Sequence, residues 1–425
     1  MKISIRKYII VSALIYMVCP LVKGQIAIQP LTYTQYMDKV NAGNLEYAAQ
    51  KLNVSISEAE AIAANVRNDP QLGFNYFNNE QAKKKMGYGG SVSISQTVTF
   101  GKRTANVELA RSESALSKAL LADYLRNLRA DATVAYLEAL KQDQLYKVKQ
   151  NAYQNLYELA QSDSIRLSKG KIMEIDAIQS KLEAGIMYNE LLQSESEMKN
   201  ALASLSIYTG TKESTLLFRP DASLHLPRHD FDLSDLIKQG TVSRSDITAA
   251  MQNIDVANRA LKVARRERNM DVDVSLEVSH NAQVKNEEAP APAYSGITAG
   301  IAIPLQFSRF NKGAILAAKR RTEQAAIEYD GAVLQVQNEI LKAYHQYESL
   351  TKQVGHYENG MLEQANQVLK GKIYSYNRGE VSLLEVLNAQ RTYDDVQALY
   401  YETLFNYASA LVELEKSAGI WDIKL

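Results

Sequence analysis

Between Thr104 and Lys169 the chain runs 66 residues without a glycine or a proline. Those two residue types punctuate compact domains, whose helices average about 11–12 residues before a connection. None of the eight prolines lies between Pro70 and Pro220, and none follows Pro304. A helix over about Thr104–Asp163 would be ~90 Å long at 1.5 Å per residue. No compact α/β enzyme core has room for such a rod. It must pack on other long helices, within the chain and in other copies. The pattern agrees: Leu116, Leu120, Tyr124, Leu128, Ala132, Ala135 and Ala139 fall three or four apart. Ala326, Tyr329, Val333, Val336, Ile340, Tyr344 and Tyr347 repeat that stripe later, with charged and amide residues around both.

The 425 residues carry 48 basic and 48 acidic side chains, a balance that gives nucleic acid no foothold. Residues 1–24 read as a removable signal peptide. Lys2, Arg6 and Lys7 precede an apolar run from Tyr8 to Val22, and Val22 and Gly24 supply the small residues of a cleavage site. Cys19, the only cysteine, lies inside this leader, between Tyr16-Met17-Val18 and Pro20, a poor setting for lipidation. The mature chain is therefore expected to be exported and free of thiol chemistry, with 44 basic residues against 48 acidic.

The remainder divides into two similar halves, 25–210 and 234–425, joined by a linker at 211–233 that holds Pro220 and Pro227. Each half reads as a helix, two alternating segments, a long helix, a glycine turn and a returning helix. The first helices are predicted over about Thr32–Asn68 and Ser234–Arg268. Gly170 and Gly379 are 209 residues apart, as are Gly210 and Gly419, which points to an internal duplication.

Strict alternation marks four strands. Val92, Ile94, Val98 and Phe100 oppose Ser91, Ser93, Ser95, Thr97 and Thr99; Val272, Val274, Leu276 and Val278 oppose Asp271, Asp273, Ser275, Glu277 and Ser279. Ile297, Ala299, Ile301, Ile303, Leu305 and Phe307 repeat the pattern, and Leu72, Phe74 and Tyr76 do so more weakly. Polar loops, Asn78–Tyr88 and Gln283–Tyr294, join each pair. Strands of roughly 9–11 residues suit a tilted bilayer crossing, although a soluble sheet with one wet face has the same pattern. Four strands cannot close a membrane barrel, and lipid tolerates no open edge. If they are transmembrane, several chains share one barrel, and three chains supply twelve strands.

Catalytic constellations are absent from the sequence, and no enzyme activity, cofactor or metal is expected. His225 and His229 are four apart in a Pro-flanked loop without acidic or cysteine partners, and Lys83, Lys84 and Lys85 form a run suited to a solvated loop. The glycine turns are more informative. Asp176 and Glu385 sit at equivalent places just inside the returning helices, at the far end of the rods from the strands. In a threefold assembly either would form a carboxylate ring at a narrow opening, which favours cations. Equally, acids in a first helical turn complement the helix dipole.

These residues resemble the TolC-like outer-membrane efflux proteins over nearly the whole mature chain. The likeness rests on Asn44-Leu45-Glu46, Asp69-Pro70-Gln71-Leu72-Gly73, Ser95-Gln96-Thr97-Val98-Thr99-Phe100-Gly101 and the run from Gly379 to Gln390. The resemblance implies a homotrimer with a twelve-stranded barrel in outer-membrane lipid and a helical tunnel across the periplasm. It also implies docking onto a periplasmic adaptor and an inner-membrane transporter, as part of a tripartite efflux or type I secretion system. Tyr376 matches the family's tip tyrosine, Glu385 an inner-ring acid and Asp176 an acid of the first tip. Val381 stands where TolC has an arginine, Ile175 where it has a threonine, and Asn388 where it has the second ring acid. Gly170, Ile172, Met173, Gly379, Val381 and Ser382 are the expected adaptor-docking residues, since both turns expose small and apolar side chains. The rival from another class is a periplasmic coiled-coil adaptor or spacer whose short strands form a soluble domain.

Overall fold

A computed structural model describes residues 27–81, 84–211, 216–305 and 311–423. The leader at 1–24 with Cys19, and also Lys83 and Phe307, lie outside the described residues. Strand β1 (Ala27–Leu31) leads to α1 (Tyr33–Gly43) and α2 (Leu45–Ala63), then to the strand pair β2 (Gln71–Glu80) and β3 (Lys85–Val98). The long hairpin α3 (Lys102–Ser168) and α4 (Glu174–Thr209) follows. Strand β4 (Leu216–Pro220) opens the second passage through the same order: α5 (Leu233–Ser243), α6 (Ser245–Arg266), β5 (Val272–Asn281) and β6 (Tyr294–Ala302). Its hairpin is α7 (Lys312–His356), α8 (Leu362–Asn377) and α9 (Leu383–Ala418).

The unpunctuated stretch is one helix of 67 residues, ~100 Å long. Three expected helices are broken. Asn44 and Arg244 leave helical geometry, with ψ of 118° and 137°, and each opens a second helix. The amide side chain of Asn44 caps α2 by accepting from the Tyr47 N–H at 2.8 Å. The second long helix has a π turn at Tyr357–Met361, where Gly360 takes φ of 119°. The linker is also more ordered than its prolines suggest: β4 pairs in parallel with β1, Ile28 opposite Leu217.

The four alternating segments form one antiparallel sheet in the order β2-β3-β5-β6. Its register aligns Leu72, Ile94, Leu276 and Ala299 in one row, and Phe74, Val92, Val278 and Ile297 in the next. The opposite face aligns Gly73, Ser93, Glu277 and Thr298. β6 ends at Ala302, so Ile303 and Leu305 continue past it as coil. The apolar rows touch no core; Phe74 is 72% exposed. The main core lies elsewhere, where α1, β4 and the linker wrap the long helices, around Tyr36, Tyr136, Leu137, Phe218, Ile340 and Tyr407. The Tyr136 hydroxyl donates to the Leu31 carbonyl at 2.9 Å, and the Tyr407 hydroxyl to the Pro227 carbonyl at 3.1 Å, so the two long hairpins are tied to the first strand and to the linker. Along the stripes, Leu128 and Ala132 are buried while Leu120 is 53% exposed. In the second half Ala325, not Ala326, faces inward.

Candidate functional site at the hairpin tips

Both hairpins reverse through a glycine in the left-handed region, Gly170 at φ 67° and Gly379 at φ 78°. An L side chain is disfavoured there, and glycine adopts it freely. The same pair of hydrogen bonds closes each turn. Lys171 and Gly170 donate to Arg166 and Leu167; Glu380 and Gly379 donate to Ser375 and Tyr376. Nothing stands within 4 Å of where a Cβ would project from either glycine. Met173, Ser382 and the two glycines are exposed, and Ile172 and Val381 are half-buried. The six expected docking residues therefore share one open end of the molecule.

The expected constriction residues separate into two settings. Tyr376 is buried between α8 and α3, and its hydroxyl donates to Asp163 Oδ1 at 2.9 Å. The Arg166 guanidinium lies over its ring, 4.6 Å from the centroid, and reaches the same carboxylate at 3.5 Å. Burial pushes the Asp163 carboxyl above its usual range, partly offset by the Tyr376 hydroxyl and Arg166. Asp176 is half-buried, close enough that its charge also raises Asp163. Glu385 and Asn388 are exposed on α9. Glu385 is not a lone acid: Lys372 of α8 meets its Oε2 at 2.6 Å. That ammonium, with the Ser382 backbone N–H, holds the Glu385 carboxyl below the usual range.

Sequence reading missed Asp163, Arg166 and Lys372, each of which looks like an ordinary charge on a helix surface. It also missed a buried carboxyl further from the tip. Asp394 is 6% exposed; Gln390 donates to its Oδ1 at 2.9 Å, while Oδ2 has no partner. Burial pushes Asp394 up to about 6. It borders a cavity of about 220 Å³ between α3, α4 and α9, with Leu156, Met187 and Leu387. Arg391 clasps Glu183 across that gap at 2.8 and 2.9 Å, and Lys149 meets Glu190 at 2.7 Å. The only signal for Asp394 was an acid on an apolar helix face.

The His225 ring hydrogen-bonds the Tyr400 hydroxyl at 2.9 Å and the His229 ring packs near Phe231. Among the described residues no group of three or more histidine, cysteine or carboxylate side chains is placed to hold a metal ion. No described helix is long and apolar enough to cross a membrane.

Doubled hairpins with glycine tips, joined to a four-stranded sheet with an outward apolar face, define a class. Residues 236–420 match the family model described as outer membrane efflux protein, the same class that the TolC-like resemblance implies. Among curated proteins the chain is similar to the cobalt-zinc-cadmium resistance protein CzcC of Cupriavidus metallidurans, 22% identical over 319 residues, 75% of this chain and 74% of that one. It is also similar to the putative multidrug resistance outer membrane protein MdtQ of Escherichia coli, 21% identical over 345 residues, 74% of this chain and 70% of that one. Among solved structures it superposes on CusC with a TM-score of 0.74 at 15% identity, covering 91% of this chain and 92% of CusC. The outer membrane protein VceC of Vibrio cholerae gives 0.72 at 18%, covering 91% and 95%.

Proposed function

We propose that the chain is the outer-membrane channel of a tripartite efflux or type I secretion system. It conducts passively, docked onto a periplasmic adaptor and an inner-membrane transporter that supply energy and choose the cargo. The observation that carries this reading is the sheet: aligned apolar rows exposed on one face, small and polar residues on the other, and two unpaired edges, β2 and β6. In lipid those edges need strand partners, and among the described residues no further strand is free to give one. Three copies close a twelve-stranded barrel, and the helices continue it as a periplasmic tunnel. The equivalent turns favour two structural repeats, 25–210 and 234–425, around a linker at 211–233, after a leader at 1–24.

At the tips, Gly170, Ile172, Met173, Gly379, Val381 and Ser382 are proposed to receive the adaptor. Asp176, Glu385 and Asn388 are proposed to line the opening, with Tyr376 latching α8 to α3 behind it. Membrane fractionation followed by unheated electrophoresis tests the architecture. A heat-sensitive oligomer in the outer-membrane fraction is expected. A stable soluble monomer without detergent would instead support the spacer reading.

A further inference from the structure

Where the sheet gives way to the helices, the chain forms a recess of about 510 Å³, within the range of small-molecule sites. It lies between the turn from α2 into β2 and the turn from β3 into α3, with Arg67, Asn68, Gln96, Lys102, Arg103 and Glu267 in its walls. Its charges are unequally matched. Lys102 is met by Asp271 at 2.8 Å and by Glu267 at 3.8 Å. Arg103 Nη1 instead donates to the carbonyl and the side-chain oxygen of Asn65, at 3.1 and 3.0 Å. Those neutral acceptors aim the guanidinium without cancelling its charge. Arg67 is exposed, and among the described residues no carboxylate meets it. Two uncompensated guanidinium groups therefore share one recess.

The recess also adjoins the apolar rows of the sheet. Period two puts Tyr88, Val92, Ile94, Gln96 and Val98 on one face of β3, and Phe100 continues that face just past the strand. Tyr88 and Phe100 are exposed aromatics at its two ends, as in the girdles that bracket membrane barrels. The stretch between them is ~40 Å along the strand at ~3.4 Å per residue, or ~30 Å along a bilayer normal at a tilt of ~45°, the thickness of the hydrocarbon core. Gln96 is the first polar side chain below Val92 and Ile94 on this face, and its amide donates to the Asn68 carbonyl at 3.1 Å. The arginines thus stand at head-group depth. We propose that this recess binds the phosphate of a glycerophospholipid in the periplasmic leaflet, with Arg67 and Arg103 on the phosphate oxygens and the acyl chains lying up along Val98, Ile94 and Leu72. This rests on the channel reading and adds a lipid site to it. Guanidinium forks suit phosphate oxygens. A free anion would satisfy the two charges and leave the apolar rows above them bare. One lipid covers both.

The test uses the full chain purified from membranes in detergent, with short-chain phosphatidylglycerol as the probe. Lipid retained in native mass spectrometry and the melting temperature are the readouts. Wild type is expected to retain phosphatidylglycerol and to melt higher with it. Arg67→Gln and Arg103→Gln are each expected to bind it about tenfold more weakly. Arg67 is exposed and ties no two elements together, so its variant keeps the fold whatever Arg103→Gln does. Lys352→Gln, the same loss of charge on α7, should bind as wild type does. Equal retention by wild type and both arginine variants would overturn the site. Displacement of the lipid by inorganic phosphate at equal concentration would reduce the recess to a free-anion site and overturn the lipid assignment. Either result in a chain recovered as an outer-membrane oligomer leaves the channel reading standing. A chain absent from the outer-membrane fraction would overturn that reading and the lipid site with it.

Discussion

At the scale of single residues, charge compensation decides what each acid can do. Glu385 shares its charge with Lys372, so any ring built from such acids would be weaker than the count of carboxylates suggests. Glu385→Ala is expected to weaken cation selectivity in planar-bilayer recordings, and Lys372→Met to strengthen it by freeing the acid. Asn388→Asp should strengthen it as well. Unchanged selectivity in all three would place Glu385 away from the conduction path. Asp394 is the opposite case, an acid that burial keeps from ionising easily. Its folded value of about 6 stands above the 3.8 of an ordinary aspartate. The folded state therefore holds this proton more tightly, and its contribution to stability is present below about pH 4. That contribution fades as pH rises through 6, by about 3 kcal/mol at 1.36 kcal/mol per unit. Asp394→Asn should remove this component. Melting curves of wild type and variant should converge near pH 4 and separate above pH 6, with the variant higher.

Elements are held by a few polar ties, because the long helices share narrow apolar stripes. Tyr376 joins α8 to α3 through Oδ1 of Asp163, whose Oδ2 has no hydrogen-bond partner. Tyr376→Phe keeps the packing and strips a donor from a buried carboxylate, at a cost of about 1–3 kcal/mol. Hydrogen exchange is expected to speed up along α8 and the tip turn while the belt around Tyr136 and Tyr407 is unchanged. Equal protection in wild type and variant would show that the tie is dispensable. The π turn at Tyr357–Met361 lies just above α8. Arg228 of the linker meets Glu358 there at 2.6 Å, so the break in the helix is anchored to the belt.

For the whole molecule, the exposed sheet face has the largest consequence. A lysine or arginine on the lipid side of a barrel costs about 2–4 kcal/mol near the bilayer midplane and much less near the interfaces. Val92→Lys and Val278→Lys lie in one row across β3 and β5. Each should reduce outer-membrane oligomer recovered by fractionation. Ser93→Lys, one residue over on the polar face, should assemble normally and change conductance instead. Equal assembly of all three variants would mean that neither face meets lipid.

Alternation with period two determined the four strands, and the absence of glycine and proline determined the long helix. Both are local properties that survive without knowing what the segment touches. The glycine turns were legible for the same reason, since a positive φ selects glycine by its own sterics. Long-range packing decided the rest. Asn44 and Arg244 look helical by composition, but the chain must bend there to enter the belt. β4 lacked a strand signal strong enough to stand apart from its prolines, and it exists because β1 offers an edge. The tip acids were legible as positions but not as charges. Whether Glu385 is lone or paired depends on Lys372, on the opposite arm of the hairpin. The bond between Tyr376 and Asp163 was not legible, because α3 and α8 come together only in the folded molecule and one-dimensional spacing carries no record of that contact.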